Sequence, residues 1–246
     1  MADYETNALD LYNLERSLTG TTRTCNEEFE QNGYLKVENL WDPEELYYPV
    51  PRERGMIMYD KKGAIAGHNS EDKQVPGSLS RYGHPQYKKI HIGIRKKLED
   101  ILGRNLYTTY YYDRYYFNGQ QLKKHADRPA CEISVTVHIS TNLPDNEKDW
   151  PIWFKTPDTY TDESKGSILI PGEERSAICQ PGDGVVYKGC ERPHWRNSMP
   201  FPKQRKRDIL LRRPQKEYYY HQIFFHYVLQ DGIRAHFAYD NGSSGS

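Results

Sequence analysis

Packing in this chain has to be done largely with tyrosine. There are 21 tyrosines in 246 residues, while only 36% of residues are hydrophobic and mean hydropathy is -0.93. A phenol brings a large apolar area together with a hydroxyl that needs a partner, which suits pleated, half-wet surfaces better than Leu-rich helix seams. The patterning agrees. Thr108 to Phe117 is almost wholly aromatic or β-branched, and Ile133, Val135, Val137 and Ile139 alternate with Glu132, Ser134, Thr136 and His138, a strand with one apolar face. Further strands are expected at Tyr34–Val37, Pro151–Phe154, Ser167–Ile170, Ser176–Gln180, Gly184–Tyr187 and Tyr218–Leu229. Turns such as Pro171-Gly172 and Pro181-Gly182-Asp183-Gly184 separate them. Many short strands with turn punctuation predict a sandwich, barrel or jelly roll.

Helical signals concentrate earlier. Thr24 reads as the N-cap of a short helix that Gly33 stops, with Glu27 completing a capping box. Asp42-Pro43-Glu44-Glu45-Leu46 opens another, and His84 to Gly103 carries Ile90, Ile94, Leu98 and Leu102 on one face. Residues 60–83 are polar and read as a long loop bordering a site. The expectation is one domain over 1–240, with helical support over about 1–106 and a β core over about 107–232. Residues 241–246 form a flexible tail.

Charge and cysteine usage exclude several classes. The 34 basic and 34 acidic residues cancel, which argues against bulk nucleic-acid affinity. Lys203-Gln204-Arg205-Lys206-Arg207, followed by Arg212-Arg213, is the one patch suited to phosphate. No apolar run approaches the ~20 residues of a membrane span. Met1-Ala2-Asp3-Tyr4-Glu5 lacks the start of a signal peptide. Cys25, Cys131, Cys179 and Cys190 show no Cys-x-x-Cys spacing, which excludes a zinc ribbon and suits a reducing compartment. A cytoplasmic, non-membrane protein is expected.

The sharpest chemical feature is His125-Ala126-Asp127. In extended backbone, residues i and i+2 project to one side, so this imidazole and carboxylate can face a single metal. Alone the motif is a common accident. It lies between two strand-like stretches, however, and His194 follows the Pro181-Gly182-Asp183 turn and the Gly184–Tyr187 strand. Two His and one carboxylate on one face of a metal leave three positions open, the arrangement used by non-haem Fe(II) oxygenases.

Taken together, these residues resemble the 2-oxoglutarate and Fe(II)-dependent dioxygenases, in the prolyl-hydroxylase-like or phytanoyl-CoA-hydroxylase-like branch. The resemblance runs from about Phe29 to about Gly232. It includes Phe29-Glu30-Gln31-Asn32-Gly33-Tyr34-Leu35-Lys36-Val37, the motif within Leu122–Arg128, the turn before His194, and the strand His221–Val228. It implies a mainly β fold, a double-stranded β-helix (jelly roll, cupin-like) with N-terminal helices packed on one sheet. It further implies Fe(II) held by His125, Asp127 and His194, 2-oxoglutarate and O₂ as cosubstrates, and hydroxylation of an unactivated C–H with release of succinate and CO₂. The substrate would be an amino acid, a peptide or another small molecule, with nucleic acid less favoured.

The family also needs a basic residue for the distal carboxylate of 2-oxoglutarate, commonly about ten residues beyond the distal His. Arg205 has ten residues between it and His194, and Arg196 is the alternative. Tyr112, from the set Tyr110, Tyr112, Arg114 and Tyr116 on one strand face, is a candidate phenol donor to the cosubstrate. His138 could approach the site, whereas His221, His226 and His236 read as structural. Trp150, Trp153 and Trp195 read as core filling before pocket walls. The rival readings are a non-catalytic β-barrel binding protein and a cupin-like metalloenzyme that uses no 2-oxoglutarate.

Overall fold

The computed structural model describes residues 25–42, 45, 72–85, 87–161 and 168–240. The expected helix at Asp42–Leu46 falls almost wholly outside these residues, as do half of the 60–83 loop and the 241–246 tail, while the N-cap expected at Thr24 falls on Asn26 instead. The first described helix, α1 (Glu27–Asn32), is capped by Asn26, whose side chain accepts the Phe29 N–H at 2.9 Å. Gly33, at φ 74, ends it in the left-handed conformation read from the sequence. α2 (Tyr87–Leu102) is the long amphipathic helix, and a one-turn-plus helix α3 (Lys206–Leu210) lies far along the chain.

Twelve described strands form three antiparallel sheets. They are β1 (Tyr34–Val37), β2 (Leu79–Tyr82), β3 (Leu106–Phe117), β4 (Leu122–His125), β5 (Ile133–Thr141), β6 (Ile152–Lys155), β7 (Thr159–Tyr160), β8 (Leu169–Ile170), β9 (Glu174–Ala177), β10 (Gly184–Lys188), β11 (His194–Arg196) and β12 (Tyr219–Leu229). The large sheet has the order β1-β10-β5-β12-β3-β2, the smaller one β4-β11-β6-β9, and β7 pairs with β8 in a separate hairpin. From β3 to β6, and again from β9 to β12, the chain steps between the two main sheets, winding them into a double-stranded β-helix. Among the described residues, no helix is long and apolar enough to cross a membrane.

The helices cover the large sheet, as expected. Ile90, Ile94, Leu98 and Leu102 of α2, and Phe29 of α1, pack with Val135, Val137, Ile139, Ile223, Phe225 and Tyr227 in one cluster. Each buried aliphatic side chain contributes about 1.5–3 kcal/mol. Strand β5 has the one apolar face read from its alternation, and its polar face is buried too. Ser134, Thr136 and His138 are no more than 2% exposed, because the polar side of β5 faces the space between the sheets rather than solvent.

The departures have local causes. β2 lies inside the stretch read as a loop, where its pairing with β3 is reinforced by Arg81 reaching Asp113 at 3.0 Å. Both charges are buried, and Tyr87 and His221 add hydrogen bonds to them. β9 ends three residues before Gln180, whose N–H is captured by Asp183 at 3.0 Å to form the following turn. The two short strands β4 and β11, which carry the metal motif, are too brief to show periodicity.

Two interior histidines make stability depend on pH. Burial pushes His91 and His138 down to about 3, against the opposing effect of a backbone carbonyl beside each. Each ring is therefore neutral in the fold and titrates near 6.5 when unfolded. Unfolding takes up protons below that pH, so stability is whole above about pH 6.5 and is lost as the pH falls toward 3. Denaturant titrations between about pH 6 and about pH 4 should show a loss from these two rings that approaches about 2.7 kcal/mol per pH unit. His91→Gln should lower that slope by about 1.4 kcal/mol per unit. A flat profile would show that the rings are not held neutral.

Candidate metal centre

Antiparallel pairing of β4 and β11 sets His194 directly opposite His125, and Asp127 follows two residues past the end of β4. The two rings lie 4.4 Å apart, and both Nε2 atoms stand 3.5 Å from Asp127 Oδ1. Ligand atoms of His125, Asp127 and His194 all fall within 4.8 Å of one another. Each imidazole is oriented the same way. His125 Nδ1 meets the Lys123 carbonyl at 2.7 Å, and His194 Nδ1 meets the Arg192 carbonyl at 3.0 Å. A carbonyl can only accept, so both Nδ1 atoms carry the proton and both Nε2 lone pairs point toward the carboxylate. That tautomer and orientation are what a metal-ligating histidine requires.

Asp127 is positioned just as tightly. Its N–H reaches the Gly189 carbonyl at 2.9 Å, and its Oδ2 accepts the Ser134 hydroxyl at 2.9 Å, which leaves Oδ1 for the histidines. Burial would raise its pKa, but His194 and His125 outweigh that and hold it at about 2. Burial pushes His194 down, opposed by Asp127. One neutral-to-anionic pocket of two imidazoles and one carboxylate results, the donor set for a divalent first-row metal.

Ser134 also meets His226 Nδ1 at 2.9 Å, so His226 buttresses the carboxylate through the serine. The same His125 Nε2 also meets Gln74 Nε2 at 2.7 Å, and Gln74 Oε1 accepts from Arg114, which is paired with Asp72 at 2.6 Å. Ser134, His226, Gln74 and Gly189 are contributions that the sequence reading missed. Their signal is tertiary. His226 faces Ser134 only through the β12–β5 register, and Gln74 lies in the stretch read as loop.

The remaining candidates separate by position. Arg196, two residues beyond His194, is 2% exposed. Its Nη1 donates to the Trp150 carbonyl, and its guanidinium lies over the Trp150 and Tyr220 rings. Its Nη2 is buried without a hydrogen-bond partner among the described residues, and so are Thr136 Oγ1 and both amide atoms of Gln222. Thr136, Gln222 and His138 share the inward face of the large sheet by register, and Arg196, on the small sheet, acts electrostatically on His138. Such groups are costly to bury unless something polar fills the space between them.

Arg205 stands apart. It is exposed, at the residue preceding α3, and is not gathered with the triad. Tyr112 lies on the inward face, stacked on Phe224 at 4.6 Å. His221 is bound up with Asp113, and His236 lies in an exposed 3-10 turn. Trp150 is a core residue, whereas Trp153 and Trp195 stack on each other, half-buried, on the small sheet. Cys25, Cys131, Cys179 and Cys190 are all free thiols.

No family model matches the chain, and no curated protein matches it by sequence. Solved structures do match. A prolyl-4-hydroxylase from Pseudomonas putida superposes with a TM-score of 0.50 at 12% identity, covering 82% of this chain and 96% of that one. SnoN, a non-haem α-ketoglutarate-dependent epimerase from nogalamycin biosynthesis, gives 0.53 at 12% identity over 89% of this chain and 86% of its own. HygX from Streptomyces hygroscopicus, solved with nickel, 2-oxoglutarate and hygromycin B, gives 0.50 at 9% identity over 81% and 84%. The fold of this chain is the double-stranded β-helix of the 2-oxoglutarate and Fe(II)-dependent oxygenases.

Gly189 tests the carboxylate's seat. A Cβ there would stand 2.6 Å from Asp127 Oδ2 and from Ser134 Oγ, and closer still to the Cys131 carbonyl. Gly189→Ala should therefore displace Asp127 and weaken Fe(II) or Mn(II) binding by roughly 10- to 100-fold in calorimetric titration. Ser134→Ala, which removes one hydrogen bond without a clash, should cost about tenfold. Unchanged affinity in both would show that the carboxylate takes no part in holding the metal.

Proposed function

We propose that this protein is an Fe(II)- and 2-oxoglutarate-dependent oxygenase that hydroxylates an unactivated C–H of an amino acid, a peptide or another small molecule. The observation that carries the reading is the convergence of two imidazole Nε2 atoms and one carboxylate oxygen within 4.8 Å, with a buried arginine on the strand of His194 that has no ion-pair partner among the described residues. His125, Asp127 and His194 would hold the iron on one face and leave the other for small ligands. Iron with 2-oxoglutarate and O₂ would supply the oxidising power, releasing succinate and CO₂.

The chain's own residues do the rest. Arg196 is the best-placed group for the distal carboxylate of 2-oxoglutarate. It is buried, it has no carboxylate partner among the described residues, and its free Nη2 needs an acceptor. Arg114 shares the interior but is already neutralised by Asp72, and Arg205 lies outside. Thr136 and Gln222 offer further donors on the same inward face. Tyr112 and Phe224 would wall the space between the sheets and exclude water from the reacting centre. Support for a hydroxylase, as against another oxygenase outcome, comes from likeness to the prolyl-4-hydroxylase, while the epimerase is comparably similar.

The decisive experiment is an anaerobic titration of metal-free protein with Fe(II) and then 2-oxoglutarate, following the visible iron-to-cosubstrate charge-transfer band. The wild type should develop the band and His194→Ala should not. Arg196→Gln should still bind Fe(II) but need roughly 30- to 100-fold more 2-oxoglutarate, the loss of one charge-assisted contact in a dry site. Arg205→Gln should titrate like the wild type. Iron bound without a band would favour a metalloenzyme that uses no 2-oxoglutarate, and no iron at all would favour a binding protein.

A further inference from the structure

The loop joining β11 to β12 carries the basic run singled out in the sequence, and the catalytic reading leaves it unused. It is a built lobe rather than a loose strand. Gln204 donates to the Arg213 carbonyl, Gln215 donates to the Pro202 carbonyl at 3.1 Å, and Arg213 pairs with Asp208 at 3.1 Å. At its root Asn118 donates to the Lys216 carbonyl at 2.8 Å and accepts the Tyr218 N–H at 2.8 Å.

What this lobe presents is unusual for a free surface. Ile209, Leu210 and Leu211 are consecutive and 58%, 83% and 51% exposed. Arg212, at φ 51, turns the chain back immediately after them. Lys203, Arg205, Lys206, Arg207 and Arg212 flank this tip, all exposed and without an ion-pair partner among the described residues. Of the two acids in the lobe, Asp208 is committed to Arg213 and Glu217 lies at the root, away from the tip. Three bulky aliphatic side chains held in water cost free energy that a partner must recover, and five unpaired cations select an anionic one.

We infer that the lobe docks on an anionic phospholipid surface, its Ile-Leu-Leu tip seated among the acyl chains near the headgroups and its cations on the phosphates. A nucleic-acid backbone would use the cations but offer nothing to the aliphatic tip, whereas a bilayer interface satisfies both. Clusters of four to eight Lys or Arg beside apolar side chains are what such surfaces attract, at about a factor of five per charge. The lobe leaves β11 at the end away from His194, so a protein seated this way keeps the metal-centre end clear.

The test is flotation of the full chain with vesicles of phosphatidylcholine, with and without phosphatidylserine. Binding to the phosphatidylserine vesicles alone is expected, falling with added salt and unaffected by excess inorganic phosphate. Lys206→Gln with Arg207→Gln should weaken it about 30-fold. Leu210→Asp with Leu211→Asp should abolish it, with thermal melts confirming that each variant is folded. Absence of binding by the wild type overturns the proposal. So does binding that survives the loss of the leucines, or that duplex DNA fully displaces, since either would make the lobe a simple electrostatic patch.

Discussion

The central strands of the large sheet are buried on both faces, and the two faces have different chemistry. Along β5 and β12 the outward side chains are Val135, Val137, Ile139, Ile223 and Phe225, sealed by α2. The inward ones include Ser134, Thr136, His138, Gln222 and His226, and these must find partners in a space closed off from water. This division explains why so polar a chain can fold. Apolar burial fills the layer between helix and sheet and also part of the space between the sheets, where Tyr112, Phe224, Leu122 and Trp150 cluster, and a set of polar groups lies among them. Some of these groups are satisfied internally, such as Ser134 with Asp127 and His226. Others, Arg196 and Gln222 above all, are not. A barrel interior with unmet hydrogen-bonding capacity is built to receive something.

The candidate metal centre depends on the same sheets in a second way. Its two histidines sit opposite one another because β4 and β11 pair antiparallel, and a shift of one residue would send one imidazole to the outer face. The backbone carbonyls of Lys123 and Arg192 then fix each ring from two residues upstream. The orientation of both candidate ligands is thus set first by strand geometry, with Gln74 added at His125. The carboxylate, which lies past the end of β4, needs side-chain help from Ser134 and a tight backbone seat at Gly189. Elements supply what register can fix, and side chains supply the remainder.

That distinction also decides what was legible in the sequence. The long strands β3, β5 and β12 and the helix α2 carry enough periodicity to be read directly, and His125, Asp127 and His194 stand out once a turn and strand are seen to precede the second histidine. What the alternation of β5 leaves open is of a different kind. Alternation shows that two faces differ, but not whether the polar one meets water or a second sheet. β2 was hidden because its stability comes from a buried Arg81–Asp113 pair formed across 32 residues, and not from any apolar pattern. His226 and Gln74 were hidden because only the assembled register brings them to the triad.

The two arginine candidates differ in burial as well as in spacing. Arg205 fits a count from His194, but a count measures chain length, and the chain after Arg196 leaves the barrel to build a surface lobe before returning as β12. Arg196 fits no such count, yet it is enclosed among aromatic rings with one donor unused. A guanidinium has several donors in a rigid fork, and burying it with one unmet is tolerable only if an acceptor arrives there in the working protein. The insertion therefore separates two tasks that one basic stretch would otherwise share. The cation inside can meet a carboxylate between the sheets, and the cations outside are free to meet a surface.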